Sequence, residues 1–172
     1  AAILDEPRSD HVFTEADWNT ASSLTRNPYY FSKTQAERAA WQFVDEARPA
    51  FDLVCVNPML TIGPALGPGI NVSNQIIVDL MAGTYPGLLA LSWGIVDVRD
   101  VALAHLLAME TPDASGRYMC LSEVVTMREL VDVLRPLAKG RGKLPTRSLE
   151  APVWTAMVKA VALTRPAGER SY

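Results

Sequence analysis

The chain has 172 residues, 49% of them hydrophobic and 20% charged, with a net charge of −3. That composition describes a packed globular chain rather than a disordered one, and the acidic balance disfavours a nucleic-acid surface. Two histidines, two cysteines and no apolar run near the ~18 residues that cross a bilayer argue against a metal centre, a disulfide scaffold and a membrane span.

Residues 1–26 are polar and irregular, with a Val12–Trp18 stretch leading into the best helix signal of the chain, 27–47. Asn27 is a natural cap and Pro28 suits the first helical position, where a missing N–H costs nothing. Ala36, Ala39, Ala40, Phe43 and Val44 follow the spacing of one buried face, and Pro49 ends the helix. Residues 51–56 then read as a continuously apolar strand, too apolar to be an exposed edge. The glycines at 63, 67 and 69 alternate with Pro64 and Pro68, which suits an irregular loop rather than a phosphate-binding turn. A helix over 71–82, short strands over 88–98 broken by Gly94, and an amphipathic helix over 98–110 follow. A strand at 117–121, a helix at 127–138, a Pro- and Gly-bearing loop and a helix at 151–164, packed through Val153, Met157, Val158 and Val161, complete the chain. Helix–strand alternation of this kind predicts an α/β fold with a parallel sheet.

Tyr29 and Lys33 carry the chemistry. Residues four apart on a helix share a face, so the ammonium can sit beside the phenol. A free tyrosine titrates near pH 10, and an adjacent cation favours the phenolate, which makes Tyr29 a usable general acid or base. The remaining reactive side chains read as structural. Cys55 and Cys120 lie in apolar strands as core thiols of a reducing compartment, and His105 lies on a helix face. His11 has no metal-ligand spacing, so no metal site is expected. Lys139-Gly140-Arg141-Gly142-Lys143 reads as a solvated loop, and the Asn71-Val72-Ser73 sequon, without a secretory signal, reads as chance.

Three segments, Asn27–Trp41, Phe51–Pro64 and Val96–Ala102, resemble in order and spacing the extended short-chain dehydrogenase/reductases, in particular the branch of dihydroflavonol and cinnamoyl-CoA reductases within the NAD-dependent epimerase/dehydratase superfamily. The resemblance implies the C-terminal portion of a Rossmann-like parallel-sheet fold with a small substrate-binding lobe. Residues 1–70 would form the catalytic-helix part and 71–172 mainly the lobe, with segments returning to the sheet. It implies NADP or NAD as cofactor. Tyr29 would exchange a proton with the substrate oxygen and Lys33 would hold the nicotinamide ribose. Pro58 and Leu60, in the turn at a strand's carboxyl end, and Ser73 would lie near the nicotinamide. Tyr85 and Trp93 would wall the substrate pocket, or equally belong to the core.

The family's Gly-x-x-Gly-x-x-Gly turn does not occur in the sequence, and its catalytic Ser aligns before Ala1. The expectation is therefore a chain truncated at both ends, weak in dinucleotide binding and prone to self-association through open strand edges. Leu4 stands where dihydroflavonol reductases carry an Asn, which points to a general aldehyde or ketone reductase. The implied partners are a small-molecule carbonyl or alcohol and, as assembly, a homodimer, with neither nucleic acid nor membrane, in the cytoplasm. Asp97 and Asp100, flanking Arg99, are expected to anchor the lobe. A sugar-nucleotide epimerase or dehydratase, which shares the Tyr and Lys, and a non-catalytic binding module are the alternatives.

Overall fold

The computed structural model describes residues 2–6, 8, 10–151 and 154. Among them run α1 (Pro28–Ala47), β1 (Val54–Pro58), β2 (Leu60–Ile62), α2 (Val72–Ala82), β3 (Leu88–Leu89), β4 (Ser92–Asp97), α3 (Val98–Glu110), β5 (Gly116–Cys120), β6 (Glu123–Thr126), α4 (Met127–Ala138) and β7 (Ser148–Leu149). The described residues divide into two compact units, one of those up to Met59 with 100–120 and one of 60–99 with 121–151 and Trp154. No described helix is long and apolar enough to cross a membrane.

In the first unit α1 begins as the sequence predicts. The Asn27 side chain accepts the N–H of Tyr30, and Pro28 occupies the first position. The helix closes at Arg48, whose left-handed backbone (φ 44°) turns its N–H onto the Val44 carbonyl just before Pro49. β1 pairs in parallel with β5, from Val54 opposite Gly116 to Pro58 opposite Cys120.

Three expectations are corrected here. The inward face of α1 is centred on Thr34 and Glu37, with Ala40, Trp41 and Val44 half-buried, whereas Ala36, Ala39 and Phe43 are exposed. Apolar spacing alone missed this because the helix turns a charged residue inward to meet an opposite charge. The strand expected over 51–56 starts at Val54 and is half-buried throughout, since β5 is its one sheet neighbour among the described residues. Finally, no residue of α3 is buried, and Leu103, Leu106, Leu107 and Met109 are exposed.

The second unit holds an apolar core of Leu80, Leu88, Leu89, Met127, Leu130, Val131 and Leu149. α2 brings Leu80 to it and stops at Gly83, whose φ of 76° suits a residue without Cβ. α4 brings Met127, Leu130 and Val131, and is started by a capping box in which Thr126 and Glu129 satisfy each other's backbone N–H groups. β2 pairs in parallel with β4, β4 antiparallel with β6, and β3 in parallel with β7.

Gly94 does not break its strand. Ladders on both sides of β4, Ser92–Ile95 against β6 and Ile95–Asp97 against β2, run through or next to it, and they outweigh the ~0.5–1 kcal/mol a strand glycine costs. The break falls at 90–91, where the Leu91 N–H turns back onto the Leu89 carbonyl at 2.8 Å. The short strands β2, β6 and β7 were not anticipated. The helix expected over 151–164, with Val153, Met157, Val158 and Val161, lies outside the described residues apart from Ala151 and Trp154.

Candidate active site

Tyr29 and Lys33 occupy the opening turns of α1, one helical turn apart. The Lys33 ammonium lies 5.7 Å from the centroid of the Tyr29 ring, and the Tyr29 side chain is exposed. The neighbouring Tyr30 is half-buried with its ring edge-on to Tyr29, and burial pushes its phenol above the ordinary tyrosine value. Of the two adjacent tyrosines, Tyr29 is thus the one with a phenol open to a ligand and a cation beside it. Among the described residues Lys33 forms no ion pair.

One turn beyond Lys33 the helix is fastened by a buried polar cluster. Glu37 Oε1 accepts from Arg117 Nε (2.7 Å), Asn57 Nδ2 (3.2 Å) and Trp41 Nε1 (3.4 Å), and Oε2 accepts from Arg117 Nη2 (3.4 Å). Both charged side chains are almost fully enclosed, at 9% exposure for Arg117 and 7% for Glu37. Arg117 Nη1 donates to the carbonyls of Glu15 (2.5 Å) and Asp17 (2.8 Å), and its guanidinium stacks 3.7 Å from the Trp18 ring centroid. One side chain of β5 thereby ties together α1 and the 15–18 loop, and through Glu37 the β1 residue Asn57. Burial pushes the Glu37 carboxyl upward, but the hydrogen bonds from Arg117, Asn57 and Trp41 outweigh it and hold Glu37 below the ordinary carboxylate value. Beside it, burial and then the Glu37 charge push the Cys55 thiol up to about 11, so this sulfur stays protonated and unreactive. Cys120 is likewise a free, half-buried thiol rather than a fully buried one.

The other predicted positions divide between the two units. Pro58 ends β1 in the unit of Tyr29 and Lys33, while Leu60, Ser73, Tyr85 and Trp93 belong to the second unit. Ser73 sits in the first turn of α2, whose cap is Asn71, accepting the Asn74 N–H at 2.7 Å. The Asn74 side chain closes the loop after β2 by bonding both the carbonyl (2.9 Å) and the N–H (3.2 Å) of Gly63. A Cβ on Gly63 would stand 2.9 Å from Val98 Cγ1, and its φ of 133° disfavours any other residue. Tyr85 and Trp93 pack against the apolar core of their unit, and the Leu4 side chain is buried in the first. Asp97 is gripped at two points by Arg99, with a third bond from the Arg99 N–H, and these bonds hold its carboxyl down to about 2. His105 bonds the Val101 carbonyl one turn back along α3.

The sequence reading missed Glu37, Arg117, Trp18 and the side chain of Asn57. A signal was there for one partner: Arg117 is the one charge in the strand Gly116–Cys120. A lone charge in an otherwise apolar strand calls for a partner when that strand is packed.

No protein-family model matches the chain. It is 44% identical over 144 residues to cinnamoyl-CoA reductase CAD2 of Medicago truncatula, a match covering 79% of this chain and 42% of that protein. Against cinnamoyl-CoA reductase 1 of Arabidopsis thaliana the identity is 38%, over 79% of this chain and 40% of the relative. Among solved structures, Gre2 of Candida albicans in complex with NADPH superposes with a TM-score of 0.64 at 34% identity, covering 76% of this chain and 44% of that one. The chain therefore spans about two fifths of the length of these relatives.

Proposed function

Since the chain is a relative of the cinnamoyl-CoA reductases within the extended short-chain dehydrogenase/reductases, with their Rossmann-like α/β fold, we propose that its protein reduces an aldehyde or ketone, or oxidises the corresponding alcohol, with NADPH or NADH. The observation that carries this reading is the exposed Tyr29 phenol with the Lys33 ammonium on the same helix face. The residues present fit the nicotinamide-ribose end of such a cofactor. Lys33 is an exposed cation that no carboxylate neutralises among the described residues, and Tyr29 is open to the same solvent region. When bound, the cofactor supplies the hydride.

Lys33 would bind the ribose hydroxyls and place a positive charge beside Tyr29. The Tyr29 phenol would donate its proton to the carbonyl oxygen in reduction, and its phenolate would take that proton back in oxidation, a positioned transfer that typically contributes ~10²–10⁴-fold. The backbone of the Pro58–Leu60 turn and the side chain of Ser73 are proposed as further cofactor neighbours, and Tyr85, Trp93 and Leu4 as substrate neighbours. Without a Gly-x-x-Gly-x-x-Gly turn, the 172 residues alone are expected to bind dinucleotide weakly. The cytoplasm is the proposed compartment.

The test is Tyr29→Phe in the full-length gene product, assayed by NADPH consumption against a panel of aldehydes and ketones. The ring keeps its packing but has no proton to give, so turnover should fall by at least ~10²-fold with cofactor affinity nearly intact. Retention of kcat within tenfold would remove Tyr29 from the mechanism. Turnover of nucleotide sugars in place of carbonyls would establish the epimerase reading instead.

A further inference from the structure

We propose that Arg117 is a positioning residue that keeps Glu37 from capturing Lys33, and so leaves the Lys33 ammonium free for Tyr29 and the cofactor; this rests on the role given to Lys33 above. Lys33 and Glu37 are four apart on α1, with Cβ atoms about 5–6 Å from each other, the spacing at which Lys and Glu pair on a helix. They do not pair. The Lys33 ammonium lies over the Tyr29 ring, and both Glu37 oxygens are turned to Arg117, Asn57 and Trp41.

Arg117 is held firmly enough to win that competition. Its Nε and Nη2 grip Glu37, its Nη1 is bound to the carbonyls of Glu15 and Asp17, and its plane is stacked on Trp18. The other ionisable groups around the cluster leave Arg117 as the neutralising charge. Cys55 of β1 faces Glu37 as a neutral thiol, and Arg38 of α1 lies over the Trp18 ring at 5.3 Å. Without Arg117, a nearly enclosed carboxylate would remain with no partner charge, and the flexible Lys33 stem, one turn away, would supply one. Lys33 would then be drawn away from Tyr29 and from the ribose.

The experiment compares Arg117→Met with Arg117→Met/Glu37→Gln in the full-length gene product, by crystal structure and by steady-state kinetics. In Arg117→Met, Lys33 Nζ is expected within salt-bridge distance of a Glu37 oxygen, with cofactor KM raised and kcat lowered by about tenfold each. Adding Glu37→Gln removes the competing charge, so Lys33 should return to Tyr29 and both constants should recover to within about threefold of the parent. A purely structural Arg117 predicts the opposite, a double variant no better than the single one. Lys33 still over Tyr29 in the single variant would overturn the proposal. If Arg117→Met folds only together with Glu37→Gln, Arg117→Gln, which keeps a hydrogen bond but no charge, is read in the same way. The position of Lys33 in the crystal decides the matter even if the parent protein reduces no carbonyl, so failure of the functional reading and failure of this proposal remain separate results.

Discussion

In the unit of residues 60–99 and 121–151, the least exposed side chains are Leu80, Met127 and Val131, and four more leucines close around them. In the unit of residues 1–59 and 100–120, the buried hydrophobics among the described residues are Ile3 and Leu4, accompanied by Asn19, Thr34 and Glu37. One unit is held by apolar packing and the other by a polar clamp. Apolar packing is non-directional and indifferent to charge, so it tolerates small shifts. The clamp is directional and depends on ionisation, so it fixes where α1 lies but fails if one partner is lost. The helix that carries Tyr29 and Lys33 is the one the clamp holds, and placing two side chains against a ligand is the task for which a directional device is suited.

The largest expected effect breaks the clamp. Arg117→Met takes from Glu37 its enclosed, multiply bonded partner, and an exposed Lys33 drawn toward it replaces that grip only in part, so the loss should reach up to about 3–5 kcal/mol. Hydrogen exchange should show it as protection lost in peptides from 1–59 and 100–120, with peptides from α4 and β4 changed far less. Equal loss in both regions would mean that the two are not separately stabilised.

Met127→Ala is the converse and slightly smaller perturbation. Met127 is fully buried at the start of α4, and its sulfur accepts the Leu89 N–H at 3.2 Å. Truncation leaves a cavity costing about 2–5 kcal/mol, and the protection lost should lie in α2, β3 and α4 while the Tyr29 helix keeps its exchange rates. A thermal melt with the same ΔTm as a surface substitution would show that Met127 does not centre this core.

What could be read from the sequence divides along the same line. The start of α1 was legible because it is local chemistry, Asn27-Pro28, and the Thr126–Glu129 capping box that the structure shows at α4 is of the same local kind. Cap rules need no knowledge of tertiary neighbours. The inward face of α1 was not legible, because apolar spacing nominated Ala36, Ala39 and Phe43 while an ionic partner 80 residues away brought Glu37 inside. The two- to four-residue strands β2, β6 and β7 escaped for a related reason, since so short a strand exists through the partner it pairs with. At the candidate site the Tyr29–Lys33 pair was visible as a spacing; the cluster that holds its helix was not, since it draws on four segments distant in sequence.

Acid should discriminate between the two units by a smaller margin. Glu37 is held below its ordinary value in the folded chain, so the folded state binds fewer protons than the unfolded one in that range. Its stabilisation is complete above the usual carboxylate value near 4.5 and is lost as pH falls through the lower folded value. Peptides of the clamp should therefore lose protection on acidification below about pH 4.5, and Glu37→Gln should flatten that slope. In the second unit, Asp97, Glu129 and Glu150 are also held low, by Arg99, Thr126 and Arg128 respectively, but these pairs lie at the surface and are screened, so β4 and α4 should respond weakly. Equal acid sensitivity in the two units would contradict the assignment of the clamp as the dominant ionisable element.

The smallest effect isolates burial from charge. The first unit contains a second Arg–Glu pair, Arg26 Nη2 to Glu6 Oε1 at 3.0 Å, with side chains 62% and 82% exposed. Its chemistry matches that of Arg117 and Glu37, and its separation is similar. In water the Coulomb attraction is screened, and holding two long side chains in one geometry costs conformational freedom, so an exposed pair contributes about 0–1 kcal/mol. Arg26→Ala should therefore leave Tm unchanged to within a degree or two, about 0.5 kcal/mol for a chain of this size, and any difference should vanish on adding salt. Arg117→Met should keep most of its penalty at the same salt concentration, because an enclosed charge is poorly screened. A salt-resistant loss at Arg26 comparable to that at Arg117 would show that the loop near residue 26 matters to the unit as much as the clamp does, and the distinction drawn between the enclosed and the exposed pair would fail.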